Sequence, residues 1–471
     1  MPAWGPKGKA DGPPRRAAPA SRMGKNRRSR VRYRPGRRRG MSGFGLSRER
    51  FALLFSVMLV AAAGNTAMQS LLPAIGRQLG VADLWVALAF SLSAVAWVVM
   101  APVWAHRADR RGRRALMRLG LAGFIVSMLI CGGALALGLA GAMGATLVFA
   151  IFILGRSFYG TFGSASPPAV QAYVGARTDG EARTSALALL ASSFGLGTII
   201  GPAIAPLFIF PPLGLSAPLI VFAGIGAVVL AGIVLRLPDD TPKNPATGPI
   251  IAYPAIGGSD AASAAGDAPR GTGRLRWRDP RVLPWTVIGL VGGHGQAILL
   301  SVIGFLVIDR LKVPLGDAQH WIAIVLIAGA LASLLAQWGL IPKLHLGPRQ
   351  LVIWGSLSAA AGCVVTGFAD SAYGLILGFG LASLGFGLFR PGFTSGASLA
   401  VEADEQNAVA GQVTSVNGMA YVAAPGLGVW IYGFGLALPF VITAALMAGL
   451  AIWAAWKVSP SDPAASASPA Q

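Results

Sequence analysis

Twelve apolar runs, each long enough to cross a lipid bilayer, decide what this chain can fold into. They fall at 51–73, 84–105, 115–138, 144–168, 185–209, 215–235, 283–308, 320–341, 350–369, 372–397, 407–433 and 436–456. A helix needs about 20 apolar residues to span a hydrocarbon core of about 30 Å. Inside lipid every backbone N–H and C=O must be bonded within the segment or a closed barrel, so runs of this length are predicted to be helices. Charged residues make up only 12% of the 471, about half the share a soluble domain carries, too few to cover a water-facing surface. The expected fold is an all-α membrane protein with twelve transmembrane helices. The longest gap between runs, 237–282, is rich in Pro, Gly, Ala and Asp and reads as a linker. It separates two pseudo-symmetric six-helix bundles at 51–236 and 283–458. A basic tail at 1–50 and a short tail at 459–471 are expected to be disordered.

The cations sort by side. Of the 39 Lys and Arg, 34 fall in the tails and the even-numbered connections, and three (Arg77, Arg310 and Lys312) fall on the other side. Arg156 and Arg390 lie inside runs. Positive charge accumulates on the cytoplasmic side of such proteins, which places both termini and the linker there and predicts a multi-pass protein of the cell (inner) membrane. The net charge of +21 is therefore chiefly a matter of topology. The basic tail reads as a segment near anionic lipid, or as sequence upstream of an alternative start at Met41, and no nucleic-acid partner is expected. Cys131 and Cys363 each sit in an apolar run and read as packing residues.

The halves carry a faint repeat. A shift of 223 residues lays 179–205 on 402–428, so that Asp179 meets Glu402, Glu181 meets Asp404 and Pro202 meets Pro425. An even number of spans per half makes this a parallel repeat about an axis along the membrane normal.

Between the second and third runs stands "AHRADRRGRR", 105–114, with five arginines. Gly112 permits a tight turn, Asp109 can sit favourably at a helix N-terminus, and Arg110, Arg113 and Arg114 can pair with acids across the same face. The stretch resembles the G-x-L-x-D-R-x-G-R-R motif of major facilitator superfamily transporters. Asp109, Arg110, Gly112, Arg113 and Arg114 match, and Ala105 and Arg107 depart from it. The resemblance implies that this hairpin latches the two halves in one state, with Asp179, Glu181, Glu402, Asp404 and Glu405 as candidate partners. "RSFYG" at 156–160 is similar to the family's R-x-x-x-G motif, with Tyr159 where Gln is usual. An Arg near a span centre is costly, about 2.5–3.5 kcal/mol on insertion scales, and such residues mark pathways. "GTIIGPAIAP" at 197–206 resembles the antiporter motif G-x-x-x-G-P-x-x-G-G at Gly197, Gly201 and Pro202, but Ala205 and Pro206 replace its last glycines. Small residues at this spacing allow close helix packing. Together the motifs resemble the drug:proton antiporter branch, which includes multidrug and tetracycline exporters.

Proton coupling usually needs a carboxylate inside the bundle, and none of the 18 Asp and Glu falls at a span centre. His294, near the middle of the seventh run, is the titratable candidate. Asn65, Gln69 and Gln296, with Arg156 and Tyr159, complete the expected substrate or proton pathway. Two transport readings stay open: proton-coupled efflux of small amphipathic molecules, and a facilitator or importer of a polar metabolite such as a sugar or organic acid. An enzyme is not expected, because the four histidines are scattered and neither catalytic triad nor metal spacing emerges. The expected partners are a small-molecule substrate, protons as the candidate coupling ion and the lipid bilayer, with no cofactor or metal and the chain as a monomer.

Overall fold

The computed structural model describes residues 47–175, 177–178, 180–238, 276–344, 346–402 and 405–458. Most of the tail at 1–50, most of the linker at 237–282 and the tail at 459–471 lie outside the described residues, as do the side chains of Asp109 and Arg110.

Among the described residues twelve helical segments follow one another. The first half holds α1 (Arg48–Gln78), α2 (Asp83–Arg111), α3 (Arg113–Leu139), α4 (Ala145–Phe158, continued through a π-helical turn, Tyr159–Gly163, into Ser166–Gly175), α5 (Gly180–Ile204) and α6 (Ala217–Arg236). The second half holds α7 (Leu283–Leu311), α8 (Leu315–Leu334, continued through a second π-helical turn, Leu335–Leu340, to Leu344), α9 (Pro348–Phe368), α10 (Ala372–Leu399), α11 (Gln406–Tyr432) and α12 (Leu438–Lys457). Among the described residues ten helices are long and apolar enough to cross a membrane. The expected twelve is met in number of segments, but α5 and α11 fall outside the ten. Both contain side chains outside the described residues, at 181–185 and at 406–408, and the described part of α5 is a shorter apolar helix, Ser192–Phe208. Each packs against a helix of its own half and one of the other, so protein rather than lipid covers much of their surface.

Several boundaries outrun the apolar runs. Hydropathy ends the first at 73, yet α1 passes through Pro73 and reaches Gln78, carrying Arg77 with it. The charged stretch at 105–114 is helix rather than loop: α2 runs to Arg111, α3 begins at Arg113, and Gly112 alone breaks the ladder. Its φ of 84° lies where a side chain would be strained, so the glycine at this point of the motif is required by the backbone itself.

The two halves share a packing plan. α1 packs on α5, α2 on α4 and α3 on α6; six helices later α7 packs on α11, α8 on α10 and α9 on α12. The same correspondence governs contacts between halves, where α2 meets α11 and α5 meets α8. One polar contact recurs as well. Arg114, in the first turn of α3, donates to the Val234 carbonyl in the last turn of α6. Arg349, in the first turn of α9, donates to the Ala455 carbonyl in the last turn of α12 at 2.8 Å. A guanidinium at a helix C-terminus completes unpaired carbonyls and meets the negative end of the dipole.

Candidate functional site

A cavity of about 90 Å³ opens between the halves. α1 and α5 supply Thr66, Gln69, Thr198 and Pro202, while α7, α8 and α10 supply Gln296, Ser333, Ser383, Phe379 and Phe386 with aliphatic neighbours. A second cavity of about 30 Å³ lies beside it and shares Gln69, Leu300 and Leu326; Phe90, Pro73 and Phe305 help to line it. Gln69 and Gln296, expected from sequence to belong to one pathway, thus face the same space from opposite halves. The lining mixes amide and hydroxyl groups with Leu and Phe, a surface that can hold a molecule with one polar and one apolar end. Sites for drug-sized ligands run to about 300–1,000 Å³, so this state is contracted around its cavity.

The other expected pathway residues are placed apart. Asn65 is buried in α1 and lines neither cavity. His294 lines neither; its Nδ1 lies 2.7 Å from the Leu290 carbonyl one turn back on α7. Arg156 and Tyr159 sit behind Phe90. The Arg156 Cζ is 4.8 Å from the Phe90 ring centre and 5.2 Å from that of Tyr159. Arg156 is 0% exposed, and its Nε, Nη1 and Nη2 reach no hydrogen-bond acceptor among the described residues. A buried charge without a partner costs about 3–5 kcal/mol. The two rings recover part of that through cation–π attraction, about 2 kcal/mol for a desolvated pair. The backbone around it is fixed: Ser93 donates to the Arg156 carbonyl at 2.9 Å, and a Cβ on Gly160 would lie 2.3 Å from the Ser93 carbonyl oxygen. The glycine of R-x-x-x-G is therefore what lets α4 lie against α2.

The motif in α5 has the same logic. A Cβ on Gly197 would lie 2.5 Å from the Leu59 carbonyl oxygen, and one on Gly201 would lie 2.2 Å from that of Ala63. Both glycines bring α5 onto the backbone of α1, and Pro202 reaches the cavity wall.

At the face away from Gly112 the halves are clamped. Arg77, at the end of α1, is doubly bonded to Asp83 at 2.6 and 2.7 Å and to Asp309 of α7 at 2.7 and 3.0 Å. Tyr432, at the end of α11, donates to Asp309 at 2.6 Å. Two turns back along α1, Ser70 accepts from Gln319 of α8 at 3.1 Å, both fully buried. The sequence marks Arg77 only as one of three cations on the outer side. Arg77 and Asp309 are 232 positions apart, and no local pattern pairs them.

At the opposite face lies the hairpin around Gly112. Arg113 is buried and Arg114 is bonded to α6 of its own half. Of the expected acid partners, Glu405 is bonded instead by Arg281 at 2.8 and 2.9 Å; Arg281 also holds Asp279. The Arg281 guanidinium holds both carboxyls below the ordinary carboxylate range. Asp179 and Asp404 lie outside the described residues, as does the side chain of Glu181. Among the described residues no group of three or more His, Cys, Asp and Glu is placed to hold a metal ion.

Comparison with known proteins places this architecture. Residues 54–344 match the profile of the Major Facilitator Superfamily, more than half of the chain. The chain is 22% identical to multidrug resistance protein 1 of Bacillus subtilis over 408 residues, 86% of this chain and 95% of that one. It is 29% identical to the staphyloferrin B transporter of Staphylococcus aureus over 202 residues, 41% of this chain and 44% of that one. The crystal structure of a bacterial homolog of the human lysosomal transporter Spinster superposes with a TM-score of 0.64 at 14% identity, over 88% of this chain and 98% of that one. Shared motifs, a helical fold and a cavity between repeated halves converge with these likenesses: the chain belongs to the Major Facilitator Superfamily and is a multi-pass membrane transporter of small molecules, not an enzyme.

Proposed function

We propose that this transporter exports small amphipathic organic molecules by alternating access, with the face bearing Gly112 and the arginines around it in the cytosol of a bacterial inner membrane. The observation that carries the reading is the central cavity. Both halves line it, its chemistry is mixed, and one end is closed by the clamp of Arg77, Asp309, Tyr432, Ser70 and Gln319. Release on the far side requires those contacts to part, and loading requires the cavity to widen from about 90 Å³. The likeness to a Bacillus multidrug resistance protein supports export. Protons are the proposed driving ion. Asp309 bonds Arg77 across the halves, so that contact must break before the far end opens. Arg156, behind Phe90, belongs to the substrate path.

A second reading, a facilitator or importer of a polar metabolite, draws on one observation: no carboxylate is among the residues lining either cavity. Purified protein in liposomes separates the two. Export coupled to protons predicts that an imposed pH gradient drives accumulation of an amphipathic dye against its concentration gradient. Equilibration of the dye to the same level with and without the gradient contradicts coupling and supports the facilitator.

A further inference from the structure

Arg156 is fully buried, and three of its nitrogens have no acceptor among the described residues. Its neighbours are aromatic faces. Phe90 and Tyr159 lie over it at 4.8 and 5.2 Å, and Tyr159 is itself held by Trp97 at 5.5 Å and Phe124 at 5.8 Å between ring centres. The rings attract positive charge, but none of the three nitrogens has a hydrogen-bond acceptor among the described residues. Asp83 and Asp309 are engaged by Arg77. Neither cavity is lined by Asp or Glu. The guanidinium is therefore an uncompensated cation with a planar fork of donors, a shape matched by an oxyanion with two oxygens.

Phe90 connects this cation to the substrate path. It is 6% exposed, it lines the smaller cavity, and that cavity shares Gln69, Leu300 and Leu326 with the central one. Displacing one ring puts the guanidinium at the cavity wall. Gln69 and Gln296, further along, can bond neutral polar groups, and Leu299, Leu326, Phe379 and Phe386 can hold an apolar body.

We infer that the preferred substrates are organic oxyanions, with a carboxylate, sulfonate or phosphate head on an apolar body, and that Arg156 is the group that binds the head once Phe90 swings aside. The inference rests on the transport reading above and narrows its substrate class. A lipophilic cation is disfavoured at this point, because it would approach a buried like charge.

The test measures binding to the purified full-length protein in detergent, by isothermal titration, for naphthalene-2-carboxylate, its methyl ester and (naphthalen-2-ylmethyl)trimethylammonium. These share an aromatic body and differ in charge. The wild type is expected to bind the carboxylate at least ~10-fold more tightly than the ester, about 1.4 kcal/mol, and the ammonium least. Arg156→Gln should erase the preference while leaving the ester within ~2-fold, and Arg156→Lys should keep most of it. Equal affinities across the three probes in the wild type overturn the inference even if Arg156→Gln does not fold, and so does a preference that survives in Arg156→Gln. Flux of the same probes into liposomes separates this from the parent reading. A carboxylate preference without flux upholds the anion site and defeats transport of these probes. Flux without charge preference upholds transport and overturns the anion site.

Discussion

Gly201 shows how one missing side chain positions a helix. Its α-carbon lies so close to α1 that a methyl group would stand 2.2 Å from the Ala63 carbonyl oxygen and 2.4 Å from the Thr66 hydroxyl. Backbone cannot yield as a flexible side chain can, so the helices must separate. Gly201→Ala is expected to destabilise the protein by about 1–3 kcal/mol, the usual range for overpacking, read as a lower thermal midpoint in detergent. A midpoint unchanged from wild type would show that α5 does not need this contact. The need for small residues here was legible in the spacing of Gly197, Gly201 and Pro202; which helix they meet was not. Arg156 was legible for a different reason: an arginine in an apolar run is costly enough to demand an explanation. Its separation from the cavity by Phe90 was hidden, because side-chain layering across α2 and α4 leaves no trace in linear order. His294 was singled out by its titration range alone, and its position on α7 turns it to its own helix rather than to the cavity.

At the scale of elements, hydropathy located the helices and missed their ends. Lipid dictates where a run is apolar, but a helix continues while its hydrogen-bond ladder holds. α1 therefore goes on to Gln78 and α2 to Arg111. Those extra turns carry the chemistry: the first delivers Arg77 to Asp309, and the second leaves Gly112 as a one-residue hinge between α2 and α3. The clamp at the end of α1 and α7 is partly exposed, with side chains 30% and 21% accessible, so its worth is discounted from a buried ion pair to about 1–3 kcal/mol. Each 1.4 kcal/mol is tenfold in a two-state ratio. Asp309→Asn should accordingly raise the share of molecules open at this face by roughly tenfold. Spin labels on the outer ends of α1 and α7, with the distance distribution measured by pulsed EPR, check it. A distribution identical to wild type would mean that the clamp does not set the balance.

For the molecule as a whole, spacing points to a two-bundle plan, and the repeat is visible at a shift of 223 residues as a few matched acids and prolines. The structure supplies what that faint similarity could not: corresponding helix pairs in both halves, and the twin contacts of Arg114 with α6 and Arg349 with α12. Sequence also gave no view of which end is shut, because that depends on contacts between residues more than two hundred positions apart. The central claim is that the halves move against each other around the cavity, and that the far face must open for transport. Pro73 of α1 and Gly304 of α7 meet at that face; a Cβ on Gly304 would lie 3.3 Å from the Pro73 Cβ, close to the ~3.8 Å that a disulfide spans. The direct measurement is dye flux through liposomes carrying Pro73→Cys and Gly304→Cys in a background with Cys131 and Cys363 replaced by Ala. Oxidation should stop transport and reduction restore it, whereas full flux with the cross-link completely formed would contradict the account.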